Sequence, residues 1–184
     1  LEIRCAWGAN NNYCFTTTAL TSKIWLIYED ENGEWQGKAV ADIGDPAKVP
    51  LPVDISITSD DQGLWVNTFM DGNARYFDIS DPFNPVQKYG EEIGGQVNMI
   101  SQSWDGKRAY FSTSLLGNWD KDSNGEMQWV KLYEWDEEKL ELSHKWTVDF
   151  YKEKLGRAHQ MRFGAYSLYS SKTDNKKEVT LLDK

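Results

Sequence analysis

The chain has 184 residues, with 20 Lys and Arg against 29 Asp and Glu, a formal net charge of −9. That balance argues against nucleic-acid backbones and anionic membrane surfaces as partners, since both attract basic patches. The apolar runs are far shorter than the ~20 residues of a membrane-spanning helix.

Nine Trp, nine Tyr, seven Phe and fourteen Gly favour strands and turns over helices. The chain opens on Leu1-Glu2-Ile3-Arg4, already strand-like and with neither Met nor a basic-then-apolar leader, which reads as a fragment or a processed product. Cys5 and Cys14 could pair, but their spacing suits no metal motif. β-rich runs then recur at 13–18, 24–28, 55–58, 64–69, 75–79, 99–102, 109–113, 128–135 and 140–146. Hairpin chemistry separates them: Glu31-Asn32-Gly33, Asp60-Asp61-Gln62-Gly63, Asp71-Gly72, Asp105-Gly106 and Asp136-Glu137-Glu138-Lys139. The only helical turn predicted lies at 150–155, too short to organise a fold. The chain is therefore expected to be all-β.

A repeat decides the architecture. Ser59-Asp60-Asp61-Gln62-Gly63-Leu64-Trp65 returns as Ser103-Trp104-Asp105-Gly106-Lys107-Arg108-Ala109-Tyr110. The offset is 44 residues at the serine (59 to 103) and 45 at the closing threonine (68 to 113). A third strand and a polar hairpin into a fourth follow each copy, and 13–28 fits more loosely. Four strands per 40–45 residues is the signature of a β-propeller blade. The sequence predicts about three four-stranded blades plus the opening strand of a fourth at 158–163, a partial propeller within a seven-bladed ring. The alternative is an open β-sandwich. Residues 1–184 then form the C-terminal half of the domain, with a polar tail at 170–184. Three blades leave two sheet edges open, so the intact protein is expected to be longer, with the N-terminal half of the propeller as the missing partner.

The stretches Pro52-Val53-Asp54-Ile55-Ser56-Ile57, Arg75-Tyr76-Phe77-Asp78-Ile79-Ser80-Asp81-Pro82 and Met99-Ile100-Ser101-Gln102-Ser103-Trp104-Asp105-Gly106 resemble the selenium-binding protein/methanethiol oxidase family. So do Asn118-Trp119-Asp120-Lys121 and Ala158-His159-Gln160-Met161-Arg162-Phe163. Their order matches the C-terminal portion of those proteins over nearly residues 1–170. The resemblance implies a copper-dependent enzyme that oxidises methanethiol with O2 and water to formaldehyde, hydrogen sulfide and hydrogen peroxide. It also implies His159 as a copper ligand, with most of the other histidines N-terminal to this chain. The compact form leans toward the bacterial enzymes and a periplasmic location, with cytoplasmic as the alternative. After the motif the sequence departs from the family: Gly164-Ala165-Tyr166-Ser167 stands where a Gly-Gly-Asp run is usual.

Other motifs carry less. His144 lies in an outer-strand alternation and reads as solvated. Asp120-x-Asp122-x-Asn124-Gly125 imitates a calcium loop, but Lys131 stands where the bidentate Glu belongs, so a long polar hairpin is the better reading. Three functions remain: the oxidase, a non-catalytic propeller of the same family binding selenium or a partner, and a sugar- or peptide-binding β-protein suggested by the many Trp. A homo-oligomer is left open.

Aligning the repeats at Ser59 and Ser103 sets Asp54 opposite Asn98, and extending the pattern adds Glu2 and His159. Equivalent inner-strand positions ring a propeller's channel. Glu2, Asp54, Asn98 and His159 are thus expected as one polar arc. His159 would hold copper, Glu2 or Asp54 would orient it or accept the thiol proton, and Asn98 would support the cofactor site. The alternative is a set of channel residues held by water.

Overall fold

The computed structural model describes residues 2–8, 11–113 and 127–161. Among these, twelve strands form three antiparallel sheets of four, each in simple chain order. The first blade is β1 (Ile3–Cys5), β2 (Tyr13–Thr18), β3 (Lys23–Glu29) and β4 (Trp35–Asp42). The second is β5 (Pro52–Ile57), β6 (Gly63–Thr68), β7 (Asn73–Asp78) and β8 (Val86–Glu92). The third is β9 (Val97–Gln102), β10 (Arg108–Thr113), β11 (Trp129–Asp136) and β12 (Glu141–Asp149). The blades stack face to face, with β1 against β5 and β5 against β9 at the centre. This is the partial β-propeller that the repeat predicts.

Burial follows from that stacking. β6 is buried along its whole length because blades cover both of its faces. Leu64 and Val66 join Phe15, Ile24, Leu26 and Ile55 between the first two blades. Trp65, on the opposite face, joins Phe111, Tyr133 and Trp135 between the second and third. Trp65 and Trp135 meet edge to face with ring centroids 4.8 Å apart. Outer strands β4 and β8 are mostly exposed, as the fourth strand of a blade should be.

Each repeat turn is held by one hydroxyl. Thr58 Oγ1 accepts the Gly63 N–H at 2.8 Å and donates to Asp60 at 2.6 Å. Ser103 Oγ accepts the Arg108 N–H at 3.0 Å and donates to Asp105 at 2.5 Å. Thr58, not Ser59, is therefore the counterpart of Ser103, and the offset is 45 residues here as at Thr68 and Thr113. A serine and a threonine serve the same turn, so matching identical residues misplaced the register by one.

Gly63 has a packing reason. A Cβ there would lie 1.9 Å from the Tyr76 hydroxyl oxygen. That hydroxyl crosses to the third blade and donates to Glu137 at 2.5 Å. Residues 150–155 close as hydrogen-bonded turns rather than a helix, with Lys154 at positive φ. A single 3₁₀ turn, Pro46–Lys48, joins the first two blades, capped by Asp45. No described helix is long and apolar enough to cross a membrane. Of the expected fourth-blade strand, residues 158–161 are described and form no ladder, and 162–163 lie outside the described residues. So do the calcium-like run 120–125, Trp119 and the 170–184 tail.

Candidate functional site at the inner strands

An inner strand is the edge of its own sheet, so N–H groups on its free side need partners from elsewhere. Asp54 supplies one. Its Oδ1 accepts the Ile55 N–H at 2.9 Å and its Oδ2 accepts the Ile100 N–H of the next blade at 2.9 Å. The carboxylate is fully buried. Burial raises its pKa, while the Ile100 N–H, the Arg4 guanidinium and the Ile55 N–H pull it back without cancelling the rise. Arg4 Nη2 lies 3.6 Å from Asp54 Oδ1 and also pairs with Glu2. One guanidinium therefore joins two carboxylates on neighbouring inner strands.

The register divides the four expected residues into two levels. Ile3 and Ile55 hold the same ladder position, so Glu2 and Asp54 are equivalent. A β-bulge offsets the start of each later inner strand, at Val53 and at Asn98. The counterpart of Asp54 is then Met99, and that of Asn98 is Val53. Asn98 belongs instead with His159. Asn67 Nδ2 donates to the Asn98 carbonyl at 2.5 Å, and Ser112 Oγ, which occupies the same place on β10, donates to the His159 carbonyl. Gln160 follows His159, and its Nε2 reaches Glu2 Oε1 at 3.5 Å. The level next to Arg4 is thus Glu2, Asp54, Met99 and Gln160, with Asn98 and His159 one residue away. The expected single arc is corrected to these two levels.

Asn98 and His159 each accept a hydrogen bond through their own backbone carbonyl, and the His159 residue is exposed. No group of three or more His, Cys, Asp or Glu among the described residues could hold a metal ion. His144, the other histidine, sits on exposed β12 with Nε2 2.9 Å from Thr147 Oγ1. A tight copper site needs about three or four donors. These residues alone do not fit one.

Beside Arg4 lies a cavity of about 390 Å³, walled by Trp7, Ile57, Ile100, Gln102, Trp104 and Met161. Gln102 Nε2 donates to Ser56 Oγ at 2.7 Å and to the Ile57 carbonyl at 2.9 Å, lacing β9 to β5. Its Oε1 is buried and has no hydrogen-bond partner among the described residues. Cys5 and Cys14, directly opposite on β1 and β2, form a disulfide at the rim. A larger groove of about 800 Å³ lies between the 58–60 and 134–143 turns. Four of its carboxylates serve turns and clasps: Asp60, Asp105 and Asp136 hold their own loops, and Glu137 holds Tyr76. Arg4, Gln102 and Trp7 carried no signal in the sequence, because their partners on the neighbouring blade lie 45 to 54 residues away.

Among curated relatives, the chain is 64% identical over 171 residues to a methanethiol oxidase of Ruegeria pomeroyi, covering 93% of this chain and 39% of that protein. It is 56% identical to a methanethiol oxidase of a Hyphomicrobium species, with 90% and 38% covered. The human methanethiol oxidase is 31% identical, with 89% and 45% covered. The chain thus spans about two fifths of the length of these relatives. Among solved structures, a hypothetical selenium-binding protein from Sulfolobus tokodaii matches with TM-score 0.67 at 26% identity, over 82% of this chain and 41% of that one. The β-propeller domain of Cps50 from Myceliophthora thermophila matches with TM-score 0.57 at 12% identity, over 78% of this chain and 43% of that one, a likeness of fold alone. The model of the 56 kDa selenium binding protein (SBP56) family matches residues 1–170, and the chain belongs to that family.

Proposed function

We propose that the protein of which these residues form part is a methanethiol oxidase, converting methanethiol, O2 and water to formaldehyde, hydrogen sulfide and hydrogen peroxide. The observation that carries this reading is the 64% identity to a bacterial methanethiol oxidase across 93% of the chain. In this equation the methyl carbon is oxidised and O2 is reduced to peroxide, and the atoms balance. Copper is the proposed cofactor, with His159 as the donor from this chain and its other donors from the part of the relatives' length that the chain does not span. The uncovered faces of the first and third blades are where the remaining blades of a seven-bladed ring would pack.

The inner-strand geometry suggests how the roles divide. Asp54 is buried and already accepts two backbone N–H groups, so it suits positioning: it ties β5 to β9 and steadies Arg4. Glu2 is only partly buried, with one oxygen on Arg4 and the other toward Gln160, so it is the better proton acceptor for a thiol. Arg4 beside it favours a thiolate. Asn98 supports the site through the Asn67 bridge that orders β9. The Cys5–Cys14 disulfide favours an oxidising compartment, in keeping with a periplasmic location.

The test uses the full-length protein purified with copper. Methanethiol should yield peroxide, formaldehyde and sulfide in equal amounts. His159→Ala should lose copper and turnover together, and Glu2→Gln should lower kcat while retaining copper. A full-length protein that holds copper but releases no peroxide from methanethiol would leave the second reading, a non-catalytic selenium-binding propeller. That reading is favoured by the 28%-identical mouse relative named Selenium-binding protein 2.

A further inference from the structure

The chain beyond β1 is braced from two sides. At its base the Cys5–Cys14 disulfide crosslinks β1 to β2. Farther on, Asp61 of the second blade gathers three donors. The Trp7 N–H reaches its Oδ1 at 2.7 Å, and the Gly8 N–H and Asn11 Nδ2 reach its Oδ2, both at 2.8 Å. Asp61 is itself buried. The Trp7 indole N–H also points at the Ile57 carbonyl, at 3.4 Å.

These ties carry the Trp7 ring across the second blade to Trp104 of the third, where the rings meet edge to face with centroids 5.0 Å apart. Trp7 is 59% exposed and Trp104 37%, in a chain that buries Trp65, Trp129 and Trp135. Fold packing accounts for the buried three; Trp7 and Trp104 are exposed, as Trp35 and Trp146 are, but they meet each other from the first and third blades. Both rings line the cavity that Arg4 and Gln102 also line. The cavity therefore has a polar floor suited to a thiol group and a braced aromatic wall suited to a short alkyl group.

We propose that Trp7, with Trp104, is the wall that selects thiols by the length of their alkyl chain, and that the Cys5–Cys14 disulfide and Asp61 hold it in place. The inference rests on the methanethiol oxidase reading and names the residue that sets its preference among thiols. A wall discriminates only if it cannot move aside, which is what a crosslink and three hydrogen bonds to one buried carboxylate provide. One methylene in an apolar site is typically worth about 10- to 200-fold.

The test compares kcat/KM for 1-propanethiol and methanethiol in the full-length copper-loaded protein. In Trp7→Ala the propanethiol-to-methanethiol ratio should rise about tenfold or more. Trp104→Ala and the double variant Cys5→Ser/Cys14→Ser should move it the same way. Trp35→Ala, an exposed tryptophan on outer strand β4, should leave the ratio unchanged. A ratio within about twofold of wild type in both Trp7→Ala and Trp104→Ala overturns the proposal, as does an equal shift in Trp35→Ala. If the wild type turns over no thiol, the oxidase reading fails on its own. The wall is then judged by calorimetric affinities of the same two thiols: a Trp7→Ala affinity ratio equal to wild type overturns it, and a shift toward propanethiol sustains it.

Discussion

The Asp54 carboxylate accepts the Ile100 N–H at 2.9 Å, so a side chain of the second blade completes the free edge of the third. Neither sheet's own ladder reaches that donor. Asp54→Ala would leave two N–H groups, those of Ile55 and Ile100, without their acceptor, at a cost of about 2–4 kcal/mol. Asp54→Asn keeps one acceptor oxygen and should cost about half as much. Urea unfolding of the full-length protein checks both, and an Ala variant as stable as wild type contradicts this account.

The same residue sets a pH dependence. Burial raises the pKa of Asp54 in the folded state, so between the unfolded value of about 3.9 and the folded value the native protein binds the extra proton. Stability from this group is present below the unfolded value and declines as pH rises through the folded one. Asp54→Asn should flatten that decline. Denaturation series at stepped pH in both proteins read the difference, and parallel curves would count against it.

Gly63 and Tyr76 carry the third expectation. The phenol occupies the space of a Cβ at 63 and reaches Glu137 on the next blade. Burial first, and then the Glu137 carboxylate, push the Tyr76 pKa well up, so the hydroxyl remains a donor through the neutral range. Gly63→Ala must displace the ring and should cost about 1–3 kcal/mol, while Tyr76→Phe loses only the clasp, about 1–2 kcal/mol. In the double variant Gly63→Ala/Tyr76→Phe the two losses should add incompletely, since a ring displaced by a Cβ at 63, which would also lie 2.4 Å from Tyr76 Cζ, has already lost the clasp. Additive thermal shifts would separate the two sites.

Much of this architecture is legible in the sequence for a local reason. The turn hydroxyls, the Asp beside each and the alternation of β6 and β10 lie within a few residues of one another, so blade count and strand order can be read directly. The site resisted for the opposite reason. Thr58 and Ser103 serve the same turn with different residues, so pairing the identical Ser59 and Ser103 shifts the register by one and matches Asp54 to Asn98 when its counterpart is Met99. Asp61 reads as one more hairpin residue. Its work, gathering Trp7, Gly8 and Asn11 from another blade, depends on contacts at least fifty positions apart. Glu2 and His159 stand out as ionisable groups in strand-like surroundings, but Arg4, which joins Glu2 to Asp54, looks like any exposed strand cation.

The last prediction concerns the crosslink itself. Cys5 and Cys14 are nine residues apart and directly paired on adjacent strands, so their bond closes a short loop of the unfolded chain. Loop-closure entropy for about ten residues corresponds to roughly 2–3 kcal/mol. Cys5→Ser/Cys14→Ser should lose about that much stability in the full-length protein, and wild type treated with a strong reductant should lose the same. The loss should be local. β1 is the shortest described strand, and the Trp7 and Gly8 N–H groups after it are held by Asp61, so amide exchange should quicken at Trp7, Gly8 and Asn11 while β6 stays protected. Asp61→Ala should quicken the same amides with the disulfide intact, because it removes the other brace. Unchanged exchange at Trp7 and Gly8 in the serine variant would mean that Asp61 alone holds the Trp7 wall and that the disulfide acts only on the unfolded chain.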